Sequence, residues 1–317
     1  MGSMVHAWLL DEFKNQDALD TMTLYHLGTG GKCLRGQLAL AEAQAHGLDP
    51  TCAKHWAVAC ELLHNATLIH DDIQDNDPLR RGQTSLWKKF GIPQAINVGD
   101  YLIFRSFQIV ARLNEPKLIV HFAQTSELLV RGQCDELLAN QPDLQKSSLW
   151  ENYLSMVTNK TGALFQLPIH GVHILKNIAW TPDVEKAWLE FGVAYQIFDD
   201  LRDYLGLKQQ GQKQKDFAER RVNAVVAYLS LNPKNQGLLD EYLAPKSKIH
   251  ANPKNFLSLF QTTVEEQRVL HCLQELASHR LKYFCEQTHP ETQKIMMKFL
   301  LTALPIDEVR NHVVVQV

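Results

Sequence analysis

Apolar residues return every three or four positions along most of this chain. Leu34, Leu38, Ala41 and Ala45 form one stripe, Trp56, Ala59, Cys60 and Leu63 a second, and Trp188, Phe191, Tyr195 and Phe198 a third. That spacing places each set on one helical face. Alternating strand patterns are scarce, so the chain reads as nearly all α. Helices are predicted from about Ala7 to Thr21, Cys33 to His46, Pro50 to Asp75, Pro93 to Leu113, Lys117 to Asn140, Leu149 to Val172, Pro182 to Tyr204 and Asn223 to Ser230, with two more in the C-terminal third. No long repeat and no low-complexity linker divides the chain. With 317 residues and 45% hydrophobic content it can bury a substantial core, as one large domain or two small ones.

Charge and cysteine content narrow the function classes. The formal charge of -3 leaves no basic footprint for nucleic acid. Six cysteines (Cys33, Cys52, Cys60, Cys134, Cys272, Cys285) show no CxxC and no zinc-ligand spacing, and read as small buried hydrophobes in a reducing, cytoplasmic setting. No apolar run reaches the 18 or so residues of a membrane span.

The most specific signal is acidic. Asp71-Asp72-Ile73-Gln74-Asp75 and Asp199-Asp200-Leu201-Arg202-Asp203 repeat one pattern, DDxxD. Carboxylates at i, i+1 and i+4 share a helical face, and two such faces would offer six hard oxygen donors of the kind Mg²⁺ and a diphosphate ester need together. Pro78 with Asp77 before it should end the first helix, and Gly206 the second. Both triads then occupy last turns, where the helix dipole is already negative and a carboxylate is mildly unfavourable. A bound cation reverses the sign of that effect.

Cations flank these motifs. Arg80-Arg81 emerges just past the first, with guanidinium forks suited to phosphate oxygens. Upstream, Gly30-Gly31-Lys32-Cys33-Leu34-Arg35-Gly36 puts two cations behind a Gly-Gly turn that can present backbone N–H groups to a phosphate. The polar stretch from Lys208 to Lys215, KQQGQKQK, follows the second motif and reads either as a solvated connection or as a lid over a phosphate site.

Taken together, HDDIQDNDPLRRGQ, YQIFDDLRD and GGKCLRG, with Gly99-Asp100, Gly132-Gln133 and Lys160-Thr161 between them, resemble the trans-isoprenyl diphosphate synthases, or polyprenyl synthetases, from about Tyr25 to Leu229. The resemblance implies a single domain over residues 1–317, a large antiparallel helical bundle around a central cavity (the isoprenoid synthase type I fold), and a homodimer. It implies an enzyme that condenses isopentenyl diphosphate with an allylic diphosphate. Asp71, Asp72, Asp75, Asp199, Asp200 and Asp203 would bind three Mg²⁺ with the allylic diphosphate, and Arg80, Lys160 and Lys213 would complete that clamp. Lys32, Arg35, His64 and Arg81 would hold isopentenyl diphosphate. Thr161 and Gln196 resemble positions whose oxygens face the allylic cation.

The chain also departs from the family pattern. Cys33 stands where many members have Arg. The usual Gly-Lys-x-Thr-Leu-Pro element is replaced by Arg220-Arg221-Val222-Asn223-Ala224-Val225, in which Arg221 could substitute for the phosphate-facing lysine, and Lys213 and Lys215 remain rival candidates. Product length in such enzymes depends on how far the tail runs from the first motif. Thr67 lies one turn before Asp71, Leu63 a further turn, and Ala66 about 7.5 Å along the axis. Short-chain members place an aromatic floor at the Ala66 position, so Ala66 implies products of twenty carbons or more. A subunit of a heteromeric prenyl synthase and a class I terpene cyclase-like enzyme are the alternatives.

Overall fold

The computed structural model describes residues 1–14, 17–139, 149–207, 215–243 and 264–303, which are almost entirely helical. In chain order the helices are α1 (Gly2–Asp11), α2 (Ala18–Leu27), α3 (Leu34–Ala45), α4 (Pro50–Gln74), α5 (Leu86–Phe90), α6 (Ile92–Ala111), α7 (Pro116–Ala139) and α8 (Leu149–Val157). A π turn (Thr158–Gly162) leads into α9 (Ala163–Lys176), followed by α10 (Pro182–Tyr204), α11 (Lys215–Glu219), α12 (Ala224–Leu229), α13 (Gln236–Leu243), α14 (Val264–Gln287) and α15 (Pro290–Ala303). A hairpin of β1 (Leu79–Arg80) and β2 (Gln83–Thr84) is the only sheet among the described residues. No helix among them is long and apolar enough to cross a membrane.

Contacts divide the chain into two compact units, Met1–Ser126 with Leu164–Trp180, and Glu127–Ala163 with Thr181–Val317. In the first, α4 packs against α3 and α6. Its stripe residues Trp56, Ala59 and Cys60 are fully buried, as are Leu38 of α3 and Leu102 and Ile109 of α6. Burying one such large side chain contributes roughly 1.5–3 kcal/mol. Trp56 Nε1 donates to the carbonyl of Pro168 at 2.8 Å, and Gly171 of α9 lies so close to the indole that an added Cβ would sit 2.0 Å from it. In the second unit α10 packs on α14, with Phe284 edge-on to Trp188 at 4.9 Å and tilted against Phe191 at 4.7 Å.

Several predicted boundaries need correction. The helix expected over Ala7 to Thr21 is two helices, because the Asp17 carboxylate caps α2 by accepting from Asp20 N at 2.8 Å. The helix expected to end at Val172 continues to Lys176 and contains the π turn. Beyond α12 the described residues hold three helices, not two. The hairpin was not predicted. Its turn residues, Arg81 (φ 53) and Gly82 (φ 79), both have positive φ, as a two-residue loop on right-twisted strands requires, but Arg-Gly is not the usual Asn-Gly signal.

Candidate active site

Both aspartate motifs end their helices in the same way. At the end of α4, Asn76 takes the left-handed conformation (φ 51), its N–H donates to Ile73 at 3.2 Å, and Asp77 N–H donates back to Asp72 O at 2.9 Å. At the end of α10, Gly206 (φ 69) donates to Asp203 at 3.0 Å, and Leu207 N–H donates to Arg202 O at 2.9 Å. Each is a Schellman stop. Gly206 does what its position predicts, whereas Asn76 rather than Pro78 turns the first helix. The triads therefore stand in last turns, against the dipole.

In the first unit, Asp72 is buried and its Oδ1 accepts from Arg80 Nε at 2.9 Å and from the same guanidinium's Nη2, while Asp71 and Asp75 remain half-exposed. The positive groups predicted to take isopentenyl diphosphate converge near the start of α3. Arg35 lies over the Phe165 ring at 4.8 Å and donates through Nη1 to His64 Nε2 at 3.3 Å. Arg81 reaches Thr29 Oγ1 at 3.4 Å, and a Cβ on Gly31 would lie 2.7 Å from its guanidinium carbon. Only glycine admits that approach, and its φ of 149° is also one that other residues rarely adopt. Lys32 is exposed at this turn.

Two histidines register the resulting field. Burial, then the charges of Arg81 and Arg80, lower the pKa of His26 to about 3, with Asn65 opposing weakly through a 3.2 Å hydrogen bond. Burial and the guanidiniums of Arg35, Arg81 and Arg80 also hold His64 well below its usual value. Neutral imidazoles among three guanidiniums mark a site that favours an anion. At the motif's other flank, Gly99 is needed because a Cβ there would sit 2.3 Å from His70 Nε2, which faces Asp100 Oδ1 at 3.4 Å.

In the second unit a cavity of about 180 Å³ is lined by Lys160, Thr161, Gln196, Asp199, Asp200 and Arg221, among others. The π turn carries Lys160 and Thr161; such bulges are frequent at functional sites. Lys160 Nζ donates to Glu136 at 2.7 Å and contacts Gln133 Oε1. Thr161 Oγ1 donates to Gln196 Oε1 at 3.0 Å, and Gln196 Nε2 donates to Asp200 Oδ1 at 2.8 Å. Asp200 Oδ2 accepts from Tyr153 Oη and from Ala224 N, each at 2.8 Å, and buried Asp203 accepts from Asp216 N at 3.1 Å. Asp199 is more exposed, with Arg202 at 3.7 Å. Arg221 lines the cavity while its Nε donates to Glu219 at 2.7 Å. Lys213 lies outside the described residues.

The unusual segment after the second motif has a local explanation. Asn223 caps α12 by accepting from Val226 N at 3.1 Å, and the first N–H of α12 is the one that holds Asp200. Sequence reasoning missed Tyr153, Glu136, Asp216 and His26. Glu136 has a findable signal, since it lies one turn after Gln133 and both meet Lys160.

The described residues also contain one group of three side chains able to hold a divalent cation, Glu42, His46 and His173, whose ligand atoms lie within 4.8 Å of one another. The chain-length candidates are all in α4. Ala66 and Leu63 are buried, and the Thr67 hydroxyl donates to His64 O at 2.8 Å.

An all-α fold with an aspartate-rich motif closing each of two long helices is that of the type I isoprenoid synthase fold class. A polyprenyl synthase from Caulobacter crescentus, crystallised with calcium and isoprenyl diphosphate, has this fold with a TM-score of 0.79 at 22% identity, over 95% of this chain and 93% of that one. The chain matches polyprenyl synthetase over residues 16–259 and belongs to that family. It is 30% identical over 206 residues to octaprenyl diphosphate synthase of Escherichia coli (strain K12), covering 63% of this chain and 62% of that protein. With geranylgeranyl pyrophosphate synthase of Geoglobus acetivorans it shares 34% identity over 197 residues, 59% of this chain and 60% of the other. The chain thus spans about three fifths of the length of these curated relatives.

Proposed function

We propose that the protein is a trans-prenyltransferase that condenses isopentenyl diphosphate with an allylic diphosphate. The observation that carries this is the pair of intact DDxxD motifs, each at a helix C-terminus where its charge is otherwise unfavourable, each with fixed cations in its own unit. The donor set is all carboxylate oxygen, which fits Mg²⁺, and the half-exposed Asp71, Asp75 and Asp199 are the oxygens we assign to three such ions. Asp72, Asp200 and Asp203, oriented by Arg80, by Tyr153 with Ala224 N, and by Asp216 N, supply the remaining oxygens. Bound Mg²⁺ would neutralise the departing diphosphate. The Caulobacter crescentus synthase, crystallised with a divalent cation together with an isoprenyl diphosphate, supports such a pairing.

The remaining roles fall to this chain's own groups. Lys160, Arg80 and Arg221 meet the diphosphate that leaves, and preorganised cations aimed at that developing charge lower the barrier. Lys32, Arg35, His64 and Arg81 hold isopentenyl diphosphate. The Thr161 and Gln196 oxygens stabilise the allylic cation as uncharged dipoles. Ala66 leaves the tail's path without an aromatic floor, which supports products of twenty carbons or more. Pairing with a second copy belongs to the same reading and rests on the family resemblance alone.

The test is incubation of the purified chain with labelled isopentenyl diphosphate, Mg²⁺ and allylic diphosphates of five to twenty carbons. We expect Mg²⁺-dependent elongation that Asp71→Ala and Asp199→Ala each reduce by orders of magnitude with the fold intact. No turnover alone, but turnover with a partner chain, would instead identify a heteromeric subunit.

A further inference from the structure

Two turns beyond Arg35, Glu42 of α3 and His46 just past its end, four residues apart, face His173 of α9. Glu42 is only 3% exposed. Its Oε1 lies 3.1 Å from His46 Nε2 and 3.0 Å from His173 Nε2. Both contacts are at hydrogen-bond distance, so one buried carboxylate already gathers the two imidazoles around it. Two imidazole nitrogens and one carboxylate oxygen are the three-ligand set on which zinc sites with an open position are built, whereas magnesium seeks an octahedron of oxygens.

Two of the three ligand-atom separations lie close to those of such an ion, and the third is within 4.8 Å. Ligand atoms of a tetrahedral zinc ion lie roughly 3.3–3.5 Å apart, within about 0.5 Å of both carboxylate-to-imidazole distances. The frame is already set. Lys176 Nζ donates to Gly47 O at 3.1 Å, joining α9 to the turn after α3, and Trp180 stands edge-on to His173 at 5.1 Å. His46, 27% exposed, leaves an entry path and room for a solvent ligand.

We propose that Glu42, His46 and His173 bind one zinc-class divalent cation, separately from the aspartate motifs. Such an ion would tie α3, whose first turn carries Arg35, to a helix 131 residues away in sequence. It would stabilise the folded state in proportion to its occupancy.

Chelator-treated full chain, titrated with Zn²⁺ by calorimetry in millimolar Mg²⁺, should bind one ion and melt at a higher temperature; Co²⁺ in its place should give visible d–d bands. Asp71→Ala and Asp199→Ala should keep that ion. His173→Ala and His46→Gln should each weaken it at least ~10-fold. Should His173→Ala fail to fold, the more exposed His46→Gln carries the comparison. Absence of stoichiometric binding under Mg²⁺, unchanged affinity in His46→Gln, or loss of the ion in the aspartate variants would overturn the proposal.

Discussion

Replacing Gly192 with alanine adds one methyl group where α10 passes the π turn. That Cβ would lie 2.4 Å from Gly162 Cα and 2.6 Å from Gly162 N. Carbon pairs rest at about 3.5–4.0 Å, so the two backbones must part by about 1 Å. Overpacking of this kind costs roughly 1–3 kcal/mol. The separation also falls on the proposed site: Thr161 adjoins Gly162, Gln196 is one turn beyond Gly192, and their 3.0 Å hydrogen bond would stretch toward 4 Å and be lost. A misplacement of about 1 Å in a catalytic group is worth about 100-fold in rate. We therefore expect Gly192→Ala to lower kcat for prenyl transfer about 100-fold while the thermal midpoint falls by several degrees. Gly237→Ala is the control, since its Cβ meets nothing within 4 Å, and both quantities should stay near those of the parent. A Gly192→Ala protein that melts lower yet keeps its full kcat would show that the π turn does not position reacting groups.

Arg35→Ala should chiefly raise KM for isopentenyl diphosphate, whereas Arg80→Ala should act on the allylic partner and on kcat, because only that diphosphate leaves; a purely allylic effect of Arg35→Ala would reverse the assignment. Ala66→Phe should shorten the product if the tail runs past it, and since Ala66 has no exposed surface a melting loss should accompany the change. Melting loss with an unaltered product distribution would place the floor elsewhere. His26 has a folded pKa of about 3, below its unfolded value of about 6.5, so the unfolded chain binds more protons between those values. Its contribution is complete above about pH 6.5 and declines as pH falls toward 3, by up to ~1.4 kcal/mol per unit. Urea midpoints at pH 7 and pH 5 should therefore differ less in His26→Asn than in the parent, and an equal difference would refute this account.

Elements whose cause is local were readable in advance. Asp49, Thr181 and Asn223 cap helices that begin where the pattern predicts, and Gly206 ends α10 where its freedom at positive φ is needed. The DDxxD spacing likewise reveals its chemistry, because four residues make one turn whatever surrounds it. What stayed hidden depends on approach between distant segments. Gly132, Gly171 and Gly192 leave no mark on helical periodicity, yet each sits against a backbone or ring that a methyl group would strike. The donors that hold Asp200 and Asp203 were illegible for the same reason, since Tyr153, Ala224 and Asp216 come from three other segments. Glu42, His46 and His173 escaped notice because two positions one turn apart and a third on another helix spell no linear motif.

The hairpin after α4 has two residues in each strand, and its left-handed turn begins at Arg81 itself. Arg80, still in the strand, reaches back to Asp72, while Arg81 is thrown toward Thr29 and Gly31. The hairpin therefore acts as a divider, sending two identical neighbours to two different partners. A deletion between Asp75 and Arg80 would do more than shift a charge by one place: it would put Arg81 into the strand position and leave Gly82, with no guanidinium, where the turn begins. Register, more than the identity of the intervening residues, is what this stretch must preserve, and insertions or deletions should be tolerated far less here than conservative replacements.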